Sequence, residues 1–115
     1  MKLKIKQSIL MEHLNYAIKG ISNKNLIPIL NCIKFDLTEE GLYLMSSDND
    51  IAIKTFISKN QIESIDVCGE LVVSGRYIYD IIKKLPNEII NLEEVMDFKY
   101  TLLHQILLLH LIVIM

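Results

Sequence analysis

Leu3 and Ile5 alternate with Lys2, Lys4 and Lys6, the period-two signature of a strand with one buried face. Ser8 then reads as a helix N-cap, with Glu12 one turn later favouring the helix start. Ile9, Leu10, Leu14, Ala17, Ile18 and Ile21 fall on one helical stripe, and Gly20, Ser22 and Asn23 end it. The opposite face carries Glu12, His13, Asn15, Tyr16 and Lys19, so His13 is expected to be solvated. After Pro28 the period shortens again. Asn31 to Leu37 predicts a strand, Glu39-Glu40-Gly41 a turn, and Leu42 to Ser46 the next strand. Ser47-Asp48-Asn49-Asp50 predicts a second turn, and Ile51, Ile53, Thr55 and Ile57 alternate into a third strand. Residues 58 to 67 read as a polar loop.

The theme then repeats. Glu70 to Val73 predicts a short strand, and Gly75 to Leu85 a helix stopped by Pro86. That helix has an apolar stripe of Ile78, Ile81, Ile82 and Leu85, and a basic side of Arg76, Lys83 and Lys84. Ile89 to Val95 opens another strand. The reading is an α+β fold made of a duplicated strand-helix-three-strand unit, with two helices packed on an antiparallel sheet and the second half incomplete.

The tail breaks the pattern. From Tyr100 to Met115 there is no charged residue, no turn residue and neither a strand nor a helix period. The apolar run from Ile106 to Ile114 is shorter than the roughly 20 residues a spanning helix needs. The expected division is therefore a domain over 1–99 and a foreign apolar tail over 100–115, left by a frameshift or truncation. Read one nucleotide earlier with AT-rich codons, the tail can encode a strand-like peptide rich in Ser, Thr and Asn.

Composition narrows the function. Hydrophobic residues make up 51% of the 115, which fits a packed domain, and the formal net charge is only -2. A bulk electrostatic nucleic-acid binder would be basic overall, so any such role must come from one basic face. Cys32 and Cys68 stand far apart without ligand spacing and read as small core or strand residues. Met1 to Lys6 does not lead into an apolar run as a secretory leader does, so a cytoplasmic location is expected.

No catalytic constellation is visible. His13, His104 and His110 have no nucleophile or ligand partner at a recognised spacing. Asp48-Asn49-Asp50 resembles the start of a calcium loop, but such a loop ends on a bidentate Glu at its twelfth position, where this chain has Lys59. Gly69 and Gly75 form no phosphate-binding loop. Neither a metal nor a cofactor is expected.

Three segments carry a resemblance. Met1 to Leu30 is similar, in its strand, helix and Pro28-Ile29-Leu30, to the opening of the bacterial DNA polymerase III beta subunit, the beta sliding clamp. Gly41-Leu42-Tyr43-Leu44-Met45-Ser46-Ser47-Asp48-Asn49-Asp50-Ile51-Ala52-Ile53 resembles that family's hairpin and Ser-Asp-x-Asp-Ile turn. Val73 to Pro86 resembles its second helix, with Lys84-Leu85-Pro86 at the end. In order and spacing they identify residues 1 to 99 with the N-terminal domain.

The resemblance implies a DNA clamp fold and an accessory, non-catalytic role in replication. In the family, helices line a channel around duplex DNA, the ring is a homodimer of three-domain subunits that tethers DNA polymerase III, and the full-length clamp has the polymerase and a clamp loader as partners. Lys24, Arg76 and Lys83 are the implied contacts to the DNA backbone, with Lys19 weaker. The peptide-binding pocket of the family lies between its second and third domains and is not expected here. The family closes its ring through the sheet edge near the end of this domain, where the foreign tail begins, so the fragment is not expected to be ring-competent alone. Two rivals stand beside this reading. One is a stand-alone clamp-fold module that binds replication proteins, and the other a small protein anchored to a membrane by residues 101–115.

Overall fold

The computed structural model describes residues 1–21, 31–47, 51–96 and 109–114, with 95–96 and 109–114 followed as backbone. Strand β1 (Lys2–Lys6) runs straight into helix α1 (Gln7–Ala17), which tightens into a 3-10 turn over Ile18–Gly20. Strands β2 (Cys32–Thr38), β3 (Gly41–Ser47) and β4 (Ala52–Ser58) follow as a meander. A 3-10 turn at Lys59–Gln61 leads into β5 (Ile62–Val67) and β6 (Gly69–Ser74). Helix α2 (Gly75–Lys84), β7 (Ile89–Met96) and β8 (Leu109–Ile114) complete the described chain.

The strands form two sheets, where one had been expected. The first has the order β5-β1-β7-β8 and the second β4-β3-β2-β6, and every described pairing is antiparallel. The duplication is visible in this topology. In the first half β1 feeds α1, and the chain returns as β2 and β3 in the other sheet. In the second half β6 feeds α2, and the chain returns as β7 beside β1 and β8 beyond it. Each sheet is thus completed by the other half.

Alternation decides which side of each strand faces the helices. Leu3, Ile5, Ile33, Phe35, Leu37, Leu42, Leu44, Leu71, Ile90 and Leu92 are buried, and Leu10, Leu14, Ala17, Ile78 and Ile82 meet them from the helices. At about 25 cal/mol per Å2 of apolar surface removed from water, this shared core is the dominant stabilising term.

Three local expectations are corrected. Ser8 does not cap α1: the cap position is Lys6, which makes no side-chain cap bond, and Ser8 lies inside the helix. The second residue of interest, Gln7, is buried and its Nε2 donates to the Ile82 carbonyl at 2.9 Å, so a tertiary contact anchors this end. Residues 62–67 are strand β5, not loop. Its pairing with β1 shifts register twice, between Lys2 and Leu3 and between Lys4 and Ile5, which destroys the alternation that marks a strand in sequence. Cys68 is an exposed residue between β5 and β6, while Cys32 is half-buried in β2, and neither forms a disulfide.

Ser74 caps α2 as its hydroxyl accepts from the Tyr77 amide at 3.5 Å, a long bond. The predicted turn at Asp48-Asn49-Asp50 lies outside the described residues.

Candidate nucleic-acid interface

Two contacts set the relation of the helices. Gln7, at the start of α1, reaches the end of α2 at Ile82, and Gly75, at the start of α2, lies against Ile21 just beyond α1. The helices therefore run antiparallel. Between these ends the Tyr79 hydroxyl donates to Asn15 Oδ1 at 2.9 Å. Gly75 is buried where the two elements converge, and a Cβ there would meet the Ile21 side chain and lie 3.2 Å from the Asn31 carbonyl.

The exposed side of α2 carries cations, with Asp80 between them, whereas α1 has no Lys or Arg and its one carboxylate is Glu12. Arg76 and Lys83 are both exposed on α2 and stand seven residues apart, about two turns, hence on one side of the helix. Lys83 and Lys84 occupy the last turn, where the helix dipole favours positive charge. Lys83 Nζ sits 5.8 Å from the Tyr79 ring centroid, and Lys19 Nζ 6.0 Å from that of Tyr16. These are loose cation–π contacts of exposed groups, which hold the ammonium ends near the helix surface. Tyr16 and Tyr77 are themselves exposed, at 45% and 55%. The structure brings Arg76 and Lys83 to one side of α2 and places Lys19 in the 3-10 turn that follows α1. Lys24 lies outside the described residues.

The aromatic partners were not anticipated from sequence, although Tyr16/Lys19 and Tyr79/Lys83 stand at i,i+3 and i,i+4, the spacings that let side chains meet on a helix. His13 was expected to be solvated and is not. It is half-buried, with Nδ1 2.6 Å from the Thr55 hydroxyl of β4, and its ring meets Tyr16 edge-on. Burial pushes its pKa below the ordinary value, and the neighbouring Glu12 carboxylate opposes that shift. The bond fastens α1 to the edge of the second sheet.

Chemically, a face of Lys and Arg on rigid helices can neutralise phosphate without reading bases. Among the described residues no group of three or more His, Cys, Asp or Glu side chains could hold a metal ion. No helix among them is long and apolar enough to cross a membrane.

Such a two-sheet, two-helix unit with internal duplication and a basic helix face defines the clamp class of fold. Residues 1–105 match the family model described as DNA polymerase III beta subunit, N-terminal domain. The beta sliding clamp of Bacillus subtilis is 34% identical over 97 residues, covering 81% of this chain and 26% of that protein. The beta subunit of DNA polymerase from Streptococcus pyogenes superimposes with a TM-score of 0.77 at 30% identity, covering 83% of this chain and 25% of that one. The DNA polymerase III beta chain of Streptococcus pneumoniae TIGR4 matches in fold over 98% of this chain and 30% of its own, with a TM-score of 0.78 at 24% identity.

The chain belongs to the DNA polymerase III beta subunit family, as its N-terminal domain. The chain spans about a quarter of the length of the curated relatives it matches.

Proposed function

We propose that this domain contributes one segment of the DNA-facing wall of a beta sliding clamp, the processivity factor that encircles duplex DNA and tethers DNA polymerase III in the cytoplasm. The observation that carries the reading is the antiparallel pairing of α1 and α2, with Arg76 and Lys83 exposed on one side of α2. Lys24 and, more weakly, Lys19 join them as backbone contacts. The contacts are sequence-independent, which is what sliding requires, and the tether acts through high local concentration.

The ring, a homodimer of three-domain subunits, and its encounters with polymerase and clamp loader belong to the full-length protein. A polypeptide of this domain alone is not ring-competent. The division into a domain over 1–99 and a foreign tail over 100–115 is retained as part of the proposal on the charge-free tail sequence. Against it stand the pairing of residues 109–114 as β8 and a family match that reaches residue 105.

The test is amide chemical-shift mapping of the chain with a short duplex at low salt. Shifts confined to α1, α2 and the segment around Lys24, weakened by Arg76→Ala with Lys83→Ala and by added salt, are expected. Shifts on the outer strand faces instead, or identical binding by the double variant, would overturn the assignment.

A further inference from the structure

The second sheet turns one face to the helices and the other outward. On the outward face the cross-strand row Val72, Lys34, Met45 and Lys54 is made of long side chains. The next row toward the β3–β4 connection carries the pairs Ser74–Cys32 and Ser47–Ala52, all small. A row of small residues beside a row of long ones leaves a hollow, and the structure contains one of about 470 Å3 there. Its volume is in the range of small-molecule sites.

The walls are apolar for the most part: Met45, Ala52, Ile53 and Val72 line them, with the half-buried Cys32 thiol. Among the described residues the charged groups on the lining are both cations, Lys34 and Lys54. Neither is committed to the core. Lys34 makes an exposed ion pair with Glu70 at 3.5 Å, and Lys54 lies 4.6 Å over the Tyr43 ring. An exposed pair of this kind contributes little and exchanges readily. Both lysines can swing a flexible stem toward the hollow, with their apolar carbons remaining on its rim.

We propose that this hollow on the outer face of the second sheet, opposite the helices, binds a small apolar carboxylate. Its hydrocarbon body lies on Cys32, Met45, Ala52 and Val72, and its carboxylate is held by Lys34 and Lys54. Two cations above an apolar floor exclude an amine and discriminate against a neutral alcohol of the same length, which would gain the apolar contact alone. The site is independent of the DNA-facing role, since it lies on the other side of the sheet.

The test uses the whole 115-residue chain and three probes of equal chain length: octanoate, octanol and octylamine. Octanoate is expected to shift the amide signals of Cys32, Lys34, Met45 and Lys54 saturably, and the other two to bind at least several-fold more weakly. The double substitution Lys34→Met with Lys54→Met should weaken octanoate on the order of tenfold, the loss expected for a charge-assisted contact. A readout needing no variant is alkylation by iodoacetamide: octanoate should slow reaction at Cys32 and leave Cys68 unchanged. Equal affinity for octanol, shifts elsewhere in the molecule, or unprotected Cys32 at saturating octanoate would each overturn the proposal.

Discussion

The Tyr79 hydroxyl donates to Asn15 Oδ1 at 2.9 Å, joining two helices whose partner residues stand 64 positions apart in the chain. The bond is exposed, so its net value is at the low end of the usual range. Tyr79→Phe is expected to lower unfolding stability by about 0.5 kcal/mol, read as a shift in urea midpoint with unchanged slope. A loss several times larger would mean that the phenol orders more than one contact.

Gln7 presents the opposite case, because its amide is buried and its Nε2 donates to the Ile82 carbonyl. Gln7→Leu keeps the bulk and removes this bond, while the Ile82 carbonyl still accepts from the Leu85 amide at 3.2 Å. The expected cost is about 1 kcal/mol, roughly twice that of Tyr79→Phe, measured in the same denaturation experiment.

Gly41 begins β3 with φ +150°, and a Cβ there would run into the backbone carbonyl of Ile57 on the neighbouring strand. A main-chain atom in a sheet cannot step aside as a side chain can. Gly41→Ala should cost about 2 kcal/mol or more and loosen the β3–β4 pairing, visible as faster amide exchange across both strands.

His13 should leave a mark on the pH dependence of stability. Its folded pKa is depressed by burial below the ordinary value of about 6.5. Above that value both folded and unfolded forms are neutral, and the site's contribution is fully present. As pH falls, the unfolded chain takes up the proton first, so stability is lost until the folded pKa is passed. The wild-type midpoint minus that of His13→Gln should therefore decrease between pH 7 and pH 5. A difference that stays flat would show that the imidazole does not titrate differently on folding.

Backbone pairing of β8 with β7 covers the outer edge of the first sheet. Deleting residues 109–114 leaves that edge bare, and an open edge is a template for another chain. Sedimentation should show concentration-dependent association of the shortened protein under conditions where the intact chain sediments as a smaller species. Identical sedimentation of the two would contradict this role for β8.

Where one face of an element is buried along its whole length, the sequence announces it. Leu3 and Ile5 in β1, Leu42 and Leu44 in β3, and Ile78 and Ile82 in α2 follow the period of their element, and each was legible. What escaped depends on partners distant in the chain. Ile62, Ile65 and Val67 of β5 fall out of alternation because bulged pairing with β1 absorbs the offset. His13 is drawn out of solvent by Thr55, 42 residues away, and nothing near His13 signals it. The split into two sheets was hidden for the same reason, since a list of strands does not name their neighbours. At the interface, Arg76 and Lys83 were legible as a basic helix side, whereas the rings beneath the lysines needed the spacing to be read for aromatic–cation pairs.

The interleaving of the two halves also orders events in time. β2, β3, β4 and β6 are all present once residue 74 has been made, so the second sheet can assemble early. β1 is synthesised first yet sits between β5 and β7, and its pairing of Lys2 with Glu93 closes a loop spanning most of the domain. Long closures are slow because their entropy must be lost before any contact repays it. The strand that leaves the ribosome first can pair with β5 early, yet its other edge stays open until β7 has been made.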